Sequence, residues 1–101
     1  MHTSSEARSA NDQQCGILAE ALTIYDERYE TRGDLWRQAD QPEDLIMHMR
    51  NKSLRATHIM RVLESGDLKP EAVDDHRAEA EDSLLDLINY AAFGLRWLRG
   101  N

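Results

Sequence analysis

At 101 residues the chain suffices for one domain with a small core, so apolar surface left over by one copy favours self-association. A net charge of −7 and an isoelectric point near 4.9 exclude phosphate-mediated binding of duplex nucleic acid, which needs concentrated basic surface. A mononucleotide held through a metal is not excluded, but a lone cysteine, Cys15, excludes an internal disulfide and reads as an inert, partly buried thiol.

The opening MHTSSEARSA is polar, and no later run approaches the roughly 18 apolar residues of a membrane span. A cytoplasmic chain with residues 1–10 as a disordered tail is the expectation, followed by a single helical-bundle domain over 11–101. Asn11, with Gln14 in the capping-box position, predicts the start of a first helix, and Leu18, Ala21, Leu22, Tyr25 and Tyr29 recur on one stripe of it. Gly33 predicts its end. The connection GDLWRQAD that follows carries Trp36, read as a plug between helices or a platform for a base.

Asp40, Pro42 and Glu43 predict the start of a second helix, and Ser65-Gly66 its end. Leu45, Met49, Lys52, Ala56, Ile59 and Leu63 recur every three or four residues, which puts the charge of Lys52 in an apolar seam. Asp67 to Pro70 opens a third helix of about 30 residues, on the order of 45 Å. No alternating β pattern occurs, so the chain is expected to be all-α: three long helices in an antiparallel bundle completed by a homodimer. Leu85, Ala92 and Leu95 are the stripe expected to lack a partner within one copy.

Charge is sorted between the last two helices. Arg50, Lys52, Arg55 and Arg61 lie on the second, while Glu71, Asp74, Asp75, Glu79, Glu81, Asp82 and Asp86 crowd the first half of the third. At about 100° per residue, Glu79, Asp82, Asp86 and Asn89 share one face, continued by Tyr90, Phe93 and Trp97. Asp86 stands among Leu84, Leu85, Leu87 and Ile88, where a lone carboxylate costs several kcal/mol unless a metal, a cation or a proton compensates it.

Two compensators fit. Carboxylates three and four residues apart project into one small volume and suit Mg²⁺, so Glu79, Asp82 and Asp86 are candidate metal ligands, with the ExxE pair Glu27 and Glu30 as a possible completion. Alternatively, Asp82 and Asp86 pair with Lys52 and Arg55 across the helix interface and need no metal. His48 and His58 lack zinc-ligand spacing and His76 has no companion ligand, so surface or capping roles are expected for all three.

The RGDLW turn, the NKSLR segment and the EAEDSLLDLINYA helix, taken in that order, resemble the small helical nucleotide-modification-associated domain of bacteriophages and some bacteria. That domain is a distant relation of the MazG-like all-α nucleoside triphosphate pyrophosphohydrolases; the resemblance spans roughly Tyr25 to Leu98. It implies a dimeric or tetrameric bundle that binds Mg²⁺ and hydrolyses the α–β bond of a nucleotide. Glu79, Asp82 and Asp86 would then hold the metal, Lys52 and Arg55 would contact phosphate, and Trp36, Asn89 and Tyr90 would complete the nucleotide site. One departure is sharp: NKSLR stands where the hydrolases carry EExxE, so two cations replace metal-binding acids and repel Mg²⁺. The expected function is therefore a nucleotide-binding or nucleotide-processing domain with a degenerate metal site; the alternatives are a non-catalytic acidic interaction module and an acidic DNA mimic.

Overall fold

The structure, a computed structural model, describes residues 4–33 and 42–100. Three helices account for nearly all of them: α1 (Ser4–Arg32), α2 (Pro42–Ser65) and α3 (Pro70–Leu98), with no strand among the described residues. Their ends follow local chemistry. Gly33 takes φ 73° just past α1 and donates its N–H to the Tyr29 carbonyl at 2.8 Å, while Gly66 takes φ 73° just past α2. Both are left-handed C-terminal positions that glycine occupies without steric cost. Ser65 Oγ donates to the Val62 carbonyl at 2.6 Å and accepts from the Asp67 N–H at 3.3 Å. Pro70 opens α3 at a position whose missing N–H is not needed.

The α1 boundary differs from expectation. The helix begins at Ser4, about two turns ahead of Asn11. Every residue from 5 to 20 is exposed. Of the stripe read from the sequence, Ala21 is buried and Tyr25 half-buried, while Leu18, Leu22 and Tyr29 remain largely exposed. Ile24 and Arg28 complete the covered face instead, because α3 meets α1 only in its C-terminal half. Cys15, expected to be partly buried, is exposed for the same reason, its thiol lying 3.9 Å from Asn11 Oδ1.

Between α2 and α3 the packing is close. The α2 seam is as its spacing predicts: Leu45, Ala56 and Ile59 are buried, and Met49, Lys52 and Leu63 half-buried. Across it, Leu45 and Phe93 form the centre of an apolar cluster that Tyr25, Met49 and Tyr90 pack against. Gly94 faces Leu45 across this contact, where an added Cβ would meet a Leu45 methyl at 3.4 Å, an ordinary van der Waals distance. Aromatic edges organise the cluster: Phe93 lies 5.8 Å from Tyr25 and 6.0 Å from Tyr90, tilted at 59° and 68°. His48 stacks on Tyr90 at 5.8 Å with 18° between planes. Trp97, by contrast, is 54% exposed.

Candidate functional site

Asp86 is where the three helices meet. Its side chain is only 8% exposed, and each oxygen has its own cation: Arg28 Nη1 from α1 donates to Oδ1 at 2.7 Å, and Lys52 Nζ from α2 approaches Oδ2 at 3.0 Å. The carboxylate is thus satisfied in a place where an unpaired one would be prohibitively costly. The two cations keep access to water, at 41% and 31% exposure.

One step outward, Arg55 donates to Glu79 through Nε and Nη2 on the same carboxylate oxygen. Of the expected pairing of Asp82 and Asp86 with Lys52 and Arg55, Lys52–Asp86 forms, while Arg55 pairs with Glu79 in place of Asp82. Asp82 itself is exposed, and neither its carboxylate nor that of Glu27 has an ion pair among the described residues.

These groups line an open groove of about 450 Å³ with Ile24 and Ser83. Its walls carry four carboxylates (Glu27, Glu79, Asp82, Asp86) and three cations (Arg28, Lys52, Arg55), a balance of −1. Of the expected metal ligands, Glu79, Asp82 and Asp86 all reach the groove, but two of the three already hold cationic side chains. No cluster of three or more acidic, histidine or cysteine side chains with metal-ligand geometry occurs among the described residues.

Of the expected nucleotide contacts, Lys52 and Arg55 line the groove; Asn89 and Tyr90 do not. They face an adjoining cavity of about 30 Å³ that shares Arg28 and Asp86 with the groove and is walled also by Tyr25, Tyr29 and Phe93, with room for a water or two and far too small for a base. Asn89 is occupied: its amide donates to the Ala21 carbonyl at 3.0 Å, tying α3 to the α1 backbone. Nearby, Arg96 Nη1 donates to the Tyr25 hydroxyl at 3.4 Å. Trp36 and Asp40 lie outside the described residues. His76 Nδ1 sits 2.9 Å from the Ala72 carbonyl one turn back, and His58 is exposed.

Arg28 is the residue that sequence reasoning missed. Its signal was present: it falls seven residues after Ala21 and three after Tyr25, on the face α1 turns towards α3. Comparison with protein families, curated proteins and solved structures finds no match for this chain.

Proposed function

We propose that this chain is a non-catalytic helical interaction module, its helices held in register by the Arg28–Asp86–Lys52 clasp and braced by Arg55–Glu79. The observation that carries this reading is the double engagement of Asp86, whose two oxygens are both committed to cations from other helices. A metal-dependent hydrolase needs that carboxylate open to an ion. The expected antiparallel bundle is supported by the order of contacts: Leu45, His48, Lys52 and Arg55 on α2 meet Gly94, Tyr90, Asp86 and Glu79 on α3. Completion by a homodimer is supported by the apolar side chains left on the surface of one copy. No helix among the described residues is long and apolar enough to cross a membrane, and the single thiol suits a reducing, cytoplasmic setting.

A second reading is favoured by the groove. Arg28, Lys52 and Arg55 surround a space open enough for a phosphate chain, and Asp82 and Glu27 are the carboxylates still available to Mg²⁺. Calorimetry with Mg²⁺ alone and with a panel of (d)NTPs, paired with a pyrophosphate-release assay, separates the two. The module reading expects no heat and no pyrophosphate. Heat that disappears in Lys52→Met would replace it with the nucleotide reading.

A further inference from the structure

We propose that a second copy of this chain covers the apolar groove between the start of α2 and the end of α3, and that the exposed half of α1 from that copy lies in it. This rests on the interaction-module reading and names its partner. The groove holds about 530 Å³ and is walled by Leu45, Ile46, Met49, Leu95, Trp97 and Leu98. Ile46 and Leu98 are 62% and 73% exposed, too apolar and too bare for a surface that meets only water.

The complementary ridge is on α1. Ile17, Leu18 and Leu22 are all exposed; Ile17 and Leu18 extend, towards the N-terminus, the face whose Ala21 is buried against the chain's own α3, and Leu22 flanks it. No α1 residue lines the groove within one copy. A two-fold axis resolves both surfaces together, since each copy lends a ridge and receives one.

Surface area favours a second copy as the occupant. The chain exposes 7977 Å², against about 5,800 Å² for a compact monomer of its mass, an excess of about 2,100 Å². Its radius of gyration is 16.3 Å, where about 13 Å is usual for this length. A standard interface takes about 800 Å² from each partner and an obligate dimer more than about 1,000 Å². The excess therefore accommodates an obligate dimer. A short peptide in the groove would leave the α1 ridge bare.

Sedimentation equilibrium of the full chain at micromolar concentration tests this. The expected mass is twice 11.6 kDa, falling to the single-chain value in Leu18→Glu and in Leu98→Glu. An equimolar mixture of those two variants regains pairs, because each mixed pair keeps one intact ridge-in-groove contact. Amide exchange in residues 5–20 of the unaltered chain slows as concentration rises, a readout independent of how the variants fold. A monomeric unaltered chain, whatever other protein it goes on to bind, overturns the proposal. So does a dimer indifferent to both substitutions, a mixture that stays monomeric, or exchange that ignores concentration. The nucleotide titration fails separately: a dimer that binds nucleotide keeps this inference and removes the module reading, and an inert monomer does the reverse.

Discussion

Replacing Asp86 by asparagine keeps the side chain's shape and removes its charge, which isolates the clasp from packing. Arg28 and Lys52 are donors only, whereas an amide offers one accepting oxygen and one donating NH₂. Whichever way the amide turns, one cation loses its acceptor and faces N–H groups instead. Removing one partner of a fully buried ion pair costs about 3–5 kcal/mol. Here the stranded groups are 41% and 31% exposed and regain water, which lowers the expected loss to about 2 kcal/mol. With 4–8 °C per kcal/mol typical of a domain this size, Tm falls by roughly 10 °C. Thermal and urea unfolding followed by circular dichroism, with EDTA present and protein concentration fixed, measures it. Lys52→Met alone costs less, about 1 kcal/mol, because Arg28 still holds the acid. The double variant costs less than the sum of the two, since the cation stranded by asparagine is gone. Asp86→Asn within about 0.5 kcal/mol of the unaltered chain would refute the clasp. So would a Tm of the unaltered chain that climbs steeply with Mg²⁺.

Asn89→Ala removes the hydrogen bond to the Ala21 carbonyl and costs about 1 kcal/mol; faster amide exchange confined to α1 is its signature, and loosening spread evenly over all three helices would contradict it. Gly66→Ala places a Cβ at φ 73° and destabilises by about 1–2 kcal/mol, read from the urea midpoint. Gly16→Ala works in the opposite direction, because Gly16 is helical with nothing within 4 Å of an added Cβ; it adds up to about 1 kcal/mol of helix propensity, visible as increased ellipticity.

What could be read from the sequence was what local chemistry dictates. Gly33, Pro42, Ser65-Gly66 and Pro70 punctuate the chain through their own backbone preferences, and the structure breaks its helices there. The α2 seam was equally legible, because a period of three to four residues is a property of one helix. Partner choice was not. Whether Arg55 takes Asp82 or Glu79 depends on the offset between two helices, and whether Arg28 reaches Asp86 depends on where α1 lies on α3. Both are tertiary quantities that no single-helix pattern contains. The early start of α1 was hidden differently: Ser4, Ser5 and Ser9 have weak helix propensity and Asn11 favours a cap, so residues 4–10 read as a tail although they are helical in the structure.

The lean core gives the clasp its purpose. Among the described residues, apart from Leu45, Ile59 and Phe93, the buried side chains are Ala21, Ala56, Ala80, Ser83 and Asp86. Small side chains let helices approach closely but present smooth surfaces, over which one helix can slide past another at little cost in buried area. Charge is less forgiving. A slip of one turn, about 5.4 Å, would carry the Asp86 carboxylate away from both Arg28 and Lys52 and break two ion pairs of a buried acid at once, at a cost of several kcal/mol. The triad therefore acts against slipped arrangements more than it stabilises the correct one over the unfolded chain. Apolar replacement of all three groups together would preserve or raise stability while loosening register, because it removes the cost that singles out one alignment.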